Sequence, residues 1–161
     1  KKWKILMNNI KSFVLFLMLL PLSSVANEQS KVILPINNMF DAMREHNGEK
    51  FLVQFTEGAI LERATNSNDI KQSELLKFAE FITASNKHLD EKLFNITIQE
   101  SGNLASAWTP FAFYIDGKLS HCGINSFQLI KQDNQWKIRY LIDNAYQGDC
   151  LQFIKIHKAE L

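Results

Sequence analysis

Long apolar runs, cysteine and a surplus of either charge are all scarce in this 161-residue chain. The one sustained apolar run, Phe13–Leu20, is too short to cross a bilayer, which takes about 20 residues. There are 18 Lys+Arg against 17 Asp+Glu, and beyond the lysines at the very start no basic cluster occurs. Nucleic acid, whose phosphates dominate affinity, and anionic membrane surfaces are therefore poor partners. There is no Gly-rich phosphate loop, nucleophile elbow or paired-carboxylate motif. Internal repeats, low-complexity stretches and interdomain linkers are also missing. His46, His88 and His157 sit in helix-end, loop and tail contexts and form no ligand-spaced set with His121. No metal and no cofactor is expected.

The chain opens with Lys1, Lys2, Lys4 and Lys11, then the apolar run, then Pro21 and the small residues Ser24-Val25-Ala26. This is the order of a secretory signal: a basic segment, an apolar segment and a cleavage site. Residues 1–26 are read as that signal, cleaved after Ala26. Met7-Asn-Asn-Ile-Lys11 would open an ordinary one, so residues 1–6 are read as an over-extended start. No cysteine lies near the cleavage site, so a lipid anchor is not indicated. Removing Lys1–Ala26 leaves 14 Lys+Arg against 17 Asp+Glu, a net −3. The remainder, 27–161, has the length of a single domain and is expected in the periplasm or outside the cell, with no membrane attachment after cleavage.

Pro35 suits the first turn of a helix, and Ile36, Met39, Phe40 and Met43 then repeat at helical spacing. Asn47-Gly48 stops that helix, and a short helix or turn covers Glu49–Phe55, ended by Gly58. Ala59–Ala64 reads as a strand and Thr65–Asp69 as a loop. Asp69 and Gln72 have capping-box spacing for a second long helix, whose stripe is Leu75, Phe78, Ala79 and Ile82. Lys87–Glu91 reads as a loop and Lys92–Glu100 as one strand. The clearest stretch comes next, a meander of Trp108–Asp116, Leu119–Lys131 and Trp136–Ala145, rich in aromatic and β-branched residues. Asp116-Gly117 accepts positive φ and makes the first hairpin turn, and Gln132–Gln135 makes the second. Helices first and an antiparallel meander last give an α+β order, a curved, mostly antiparallel sheet wrapped around two or three N-terminal helices.

In an exported chain, Cys122 on the middle strand and Cys150 beyond the last invite a disulfide pinning the tail to the sheet. Two separate thiols are the alternative, because spacing alone does not bring Cα atoms within reach.

Several motifs carry a family likeness. They are Phe40-Asp-Ala-Met43 with Gly48, Trp108 with Phe113-Tyr-Ile-Asp-Gly117, Ser120-His-Cys-Gly123 with Phe127-Gln-Leu129, and Trp136-Lys-Ile138. With the order of elements they resemble the nuclear transport factor 2-like (cystatin-like cone) superfamily over Val32–Cys150. Ser120–Gly123 and Gly148-Asp-Cys150 are similar to its exported, lumazine-binding-like branch. The resemblance implies the cone fold. It leaves activity open among isomerases, dehydratases, cyclases, hydrolases and non-catalytic binders.

His121 is the leading candidate for chemistry, as a general base or ligand contact. The alternative is a half-buried histidine hydrogen-bonded across the sheet. Asp143 near the mouth could abstract a proton if apolar walls raised its pKa, and the resemblance implies an acidic base inside the cone. Strict alternation from Trp136, however, puts Ile138, Tyr140, Ile142 and Asn144 on one face and Asp143 on the other, where it would serve as a cap or a salt-bridge partner. Trp108, Tyr114, Phe127 and Tyr140, with His121, are the expected ligand-binding set. Alternatively one aromatic face pairs two copies sheet to sheet, as superfamily members often do. The expected function is a domain that binds a small apolar or aromatic ligand without catalysis. An isomerase, dehydratase or cyclase using His121 or Asp143 is the first alternative, and an envelope accessory module the second.

Overall fold

The computed structural model describes residues 22–158. The segment read as a signal lies outside them except for Leu22–Ala26, the start of the first helix. The elements are α1 (Leu22–Arg44), α2 (Gly48–Leu52), β1 (Phe55–Ala64), β2 (Ile70–Ser73), α3 (Leu75–Ala84), β3 (Leu89–Leu93), β4 (Thr97–Ser101), β5 (Leu104–Ile115), β6 (Lys118–Gln132), β7 (Gln135–Ala145) and α4 (Cys150–Lys158). The strands form one curled, unclosed sheet in the order β2-β1-β7-β6-β5-β3, with β4 sharing the β3 edge of β5. Only the β1–β7 pairing is parallel among the described strands. The α+β cone expected from the sequence is the fold observed.

Helix α1 fills the hollow of the sheet. Its stripe Val32, Ile36, Met39, Phe40 and Met43 is buried against Ala105, Ala107, Phe127, Leu129 and Ile138. Phe40 meets Phe127 edge-on, ring centroids 6.4 Å apart. Each such side chain contributes roughly 1.5–3 kcal/mol on leaving water. Pro35 lies inside α1 rather than at its start. An interior proline costs about 3 kcal/mol, and full burial of Val32 and Ile36 on either side offsets it.

Several boundaries differ from the sequence reading, each for a tertiary reason. Asp69 caps no helix. Ile70–Ser73 instead pairs antiparallel with Leu61–Ala64, closed by bonds from the Thr65 N–H and hydroxyl to the Asp69 carbonyl, 2.9 Å each. The expected loop at Lys87–Glu91 is largely β3, and the single strand expected over Lys92–Glu100 is split. Asn95, at φ 32°, divides it so that two short strands follow one long, curved edge of β5. Gly58 ends no helix but lies within β1 at φ 66°. The tail after Cys150 is a helix, with Asp149 Oδ1 accepting from Leu151 N–H at 2.8 Å. Cys122 and Cys150 form a disulfide, Cα atoms 5.6 Å apart. It ties α4 to the outer sheet face, where Phe153 packs with Phe94 and Ala112.

Two bulges set which residues face inward. Opposite β6 the register passes from Leu129↔Ile138 to Gln128↔Tyr140, leaving Arg139 as an extra residue in β7. On the other side of β7, the register with β1 jumps between Phe55↔Ile138 and Ile60↔Tyr140. Arg139 Nη1 donates to the Glu57 carbonyl at 3.0 Å, bridging the two irregularities. Below the bulge Trp136 and Ile138 point in; above it Leu141 and Asp143 do. The alternation expected along this strand is thus reversed past Arg139, as a bulged residue requires. A third shift, between Phe113↔His121 and Tyr114↔Leu119, makes Ser120 extra in β6.

Candidate functional site

The wide end of the cone holds a cavity of about 240 Å³. Its apolar wall comes from Met39, Phe40 and Met43 of α1, Phe51 of α2, Phe78 and Phe81 of α3, and Leu61, Leu89, Phe113 and Leu141 of the sheet. Five polar residues enter it: Arg63, Glu91, His121, Asn125 and Asp143.

Most of these polar groups stand in one row across the inner sheet face. Arg63 lies opposite Asp143, Asp143 opposite Asn125, and Asn125 opposite Thr109. Arg63 Nε donates to Asp143 Oδ1 at 2.8 Å and to Oδ2 at 3.1 Å, and Nη2 also donates to Oδ2. This planar, two-pronged pairing suits guanidinium and carboxylate geometry. Asn125 Nδ2 donates to Glu91 Oε1 at 2.7 Å and to Thr109 Oγ1 at 3.2 Å. Arg63 is half in solvent at one end of the row, while the buried Asn125 and Thr109 bond to each other, as buried polar groups must find partners.

Glu91 reaches the cavity because Leu89, Glu91 and Leu93 share the inward face of β3. Arg44 of α1 holds this strand in place. Its Nη1 donates to Asp90 Oδ1 at 3.0 Å and to the Glu91 carbonyl at 3.4 Å. Although Glu91 keeps some accessible area where it faces the cavity, protein encloses its carboxyl. That burial, chiefly, pushes its pKa up to about 8; the nearby Asp143 charge adds to the rise, while Asn125, Arg63 and Arg44 oppose it. The carboxyl group is therefore mostly protonated at neutral pH.

His121 moves the opposite way. Burial, then the Arg63 charge, lowers its pKa against a weaker pull from Asp143, so the imidazole is neutral. Its ring is flanked by Phe111 (5.6 Å, edge-on) and Phe113 (5.2 Å). Nδ1 lies 3.2 Å from Ser120 Oγ, the bulged residue. Gly123, next inward on the same strand, permits the close approach of β7: a Cβ there would stand 1.9 Å from the Asn144 carbonyl oxygen.

Of the candidates read from the sequence, His121 and Asp143 both line the cavity. Asp143 does so already paired to Arg63, so the cross-strand salt bridge and the cavity position hold together. The expected aromatic wall is elsewhere. Phe127 is fully buried below the cavity floor. Trp108 is 53% exposed on the outer face, and Tyr114 packs there with the α4 cluster. Tyr140, also outside, donates its hydroxyl to Glu62 Oε2 at 2.7 Å. That bond, chiefly, raises its pKa to about 12. Trp108 and Tyr114 take the even face of β5, whose odd face is inside, and the Arg139 bulge turns Tyr140 outward. The rings that do line the cavity, Phe40, Phe51, Phe78, Phe81 and Phe113, come mostly from the helices.

Glu91, Arg63 and Asn125 were missed by sequence reasoning. A signal for Glu91 existed, since Leu89-Asp-Glu-Lys-Leu93 alternates with a glutamate between two inward leucines. Nothing local marks Arg63 or Asn125, whose roles come from register. Among the described residues no group of three or more His, Cys, Asp or Glu is placed to hold a metal, and no helix is long and apolar enough to cross a membrane.

A curled mixed sheet around N-terminal helices, with a cavity at its open end, is the nuclear transport factor 2-like, cystatin-like fold, and this chain has that fold. No protein-family model and no curated protein matches the sequence; the likeness lies in solved structures. A protein of unknown function from Mycobacterium tuberculosis, Rv3472, superposes with TM-score 0.68 at 16% identity, over 83% of this chain and 80% of that one. A cystatin-like-fold protein of unknown function from Nostoc punctiforme gives 0.64 at 12%, over 78% and 96%. A candidate dehydratase of the nuclear transport factor 2-like family from Streptomyces avermitilis gives 0.65 at 12%, over 77% and 99%. At such identities the likeness speaks for the fold alone.

Proposed function

We propose that the cone binds a small organic substrate and moves a proton within it, in a reaction of the isomerase or dehydratase kind. His121 acts as the base and Glu91 as the acid. The observation that carries this reading is the opposed shift of two groups in one cavity. Glu91 is held protonated where it can donate to an oxygen, and His121 is held neutral where it can accept a proton from carbon. Pairs of titratable groups pushed apart by their surroundings are how acid and base roles are divided at a single pH. Proton removal by His121 from a carbon beside a carbonyl, with Glu91 donating to that carbonyl oxygen, gives an enol. In a β,γ-unsaturated ketone, return of the His121 proton to the γ-carbon while the enol O–H goes back to Glu91 is isomerisation; in a β-hydroxy ketone, departure of the hydroxyl as water with the His121 proton while the enol O–H goes back to Glu91 is dehydration. The acid in this scheme is Glu91 rather than Asp143, because Asp143 is engaged by Arg63. The dehydratase named among the structural neighbours is compatible with this class.

Export remains part of the proposal, supported by the basic, apolar and small-residue order of residues 1–26 and by the disulfide, which persists in oxidising compartments. Binding without turnover is the second reading, favoured by the largely apolar wall and by the Arg63–Asp143 pair that consumes one carboxylate.

The deciding experiment is solvent deuterium exchange into a panel of enolisable ketones, followed by proton NMR. The intact protein should accelerate exchange at the carbon beside the carbonyl. Glu91→Gln and His121→Ala should each lower the rate by about 10²–10⁴, with circular dichroism unchanged. Ketones that bind without exchanging would select the second reading.

A further inference from the structure

The wall of the cavity at Phe81 and Leu89 has a second hollow behind it. The same two residues line a depression of about 330 Å³ with Ala84, Ser85, Lys87 and Ile115. Phe81 is 56% exposed, a large aromatic left in solvent at the C-terminal end of α3. It ends a file of rings leading out of the core. Phe51 lies 5.5 Å from Phe78, and Phe78 lies 6.1 Å from Phe81. By itself the inner cavity is smaller than ordinary ligand sites, which run from about 300 to 1,000 Å³; with the outer hollow it falls inside that range.

We propose that the two hollows are one binding site for an uncharged, amphipathic ligand. Its hydrogen-bonding head sits among Glu91, Asn125 and His121, and its aliphatic or aryl tail passes Phe81 into the outer hollow. The tail fits because that hollow is floored by Leu89, Ile115, Ala84 and the Phe81 ring. The head is uncharged because Arg63 and Asp143 already neutralise each other. A further net charge would lose its water without gaining a partner, which is costly. This assignment rests on the reading of the cavity as a substrate site, but it concerns binding and can be separated from turnover.

The test is displacement of the neutral fluorophore N-phenyl-1-naphthylamine from the whole protein by straight-chain 2-ketones of increasing length and by alkanoates of matching length. Affinity should rise about fourfold per methylene and keep rising past the length that fills the inner cavity. Alkanoates should bind at least tenfold more weakly than ketones of equal length. Ala84→Trp, an exposed change that fills the outer hollow, should flatten the series for long ketones and leave short ones unchanged. A plateau in the unaltered protein at the inner-cavity length would overturn the proposal. So would an equal effect of Ala84→Trp at every length, tighter binding of alkanoates, or no displacement at all. An intact length profile without deuterium exchange supports this proposal and removes only the catalytic one. Exchange without the profile does the reverse.

Discussion

Strands β5, β6 and β7 build both ends of the cone, yet the ends differ in kind. At the narrow end their inward side chains are Ala105 and Ala107, Phe127 and Leu129, and Trp136 and Ile138, packed against α1. At the wide end the same strands offer Phe113, Asn125 and His121, and Leu141 and Asp143, around a cavity. The change comes at Arg139, where one extra residue turns β7 over. The narrow end spends its inward positions on packing and gains stability. The wide end places charge and hydrogen-bonding capacity where water is scarce, which costs stability and shifts pKa values. A packed floor that holds such a row rigid is the arrangement an orienting site needs.

Three measurements would break or sharpen this contrast, beginning with the largest effect. Phe127→Ala at the narrow end removes a fully buried ring and should cost about 3–5 kcal/mol in denaturant unfolding. A cost below about 1 kcal/mol would mean that the floor is not packed as described.

The second concerns pH. Glu91 rises from 4.5 to about 8 on folding, so the folded state holds the proton more tightly than the unfolded state. The stability this contributes is complete below about pH 4.5 and is lost as pH rises through 8. The protein should lose on the order of a few kcal/mol over that interval. Glu91→Gln, which keeps an oxygen to accept from Asn125, should abolish the slope. An unchanged slope in the variant would relocate the titrating group.

The smallest effect belongs to Phe81→Ala on the rim, expected to cost about 1 kcal/mol or less because the ring is half in solvent. Melting curves of this variant beside Phe127→Ala would read the contrast directly.

The sites where sequence reasoning succeeded share a short physical range. Asp116-Gly117 and Asp133-Asn134 all take positive φ, and these residue types accept it locally. The stripe from Ile36 to Met43 needs only its own spacing, and it is buried as expected. Misreadings fall where a neighbour decides. Asp69-Ile-Lys-Gln72 carries a helix-start pattern, but the open edge of Leu61–Ala64 captured it as a strand. A single residue of register separates Tyr140 inside from Tyr140 outside, because side chains alternate with period two.

The sequence by itself determined the helix-then-meander order, the turns and the inward stripe of α1, since each follows from backbone preference or periodicity within about ten residues. It also placed His121 on the middle strand of the meander and put two cysteines where a bridge was an option. Tertiary structure alone decided that Asp143 faces the cavity, that Arg63 engages it, and that Glu91 is buried enough to hold its proton. Those outcomes depend on the irregularities in β1 and β7 and on partners 34 to 80 residues away in the chain. Register and desolvation are properties of the assembled sheet, and no local window of residues contains them.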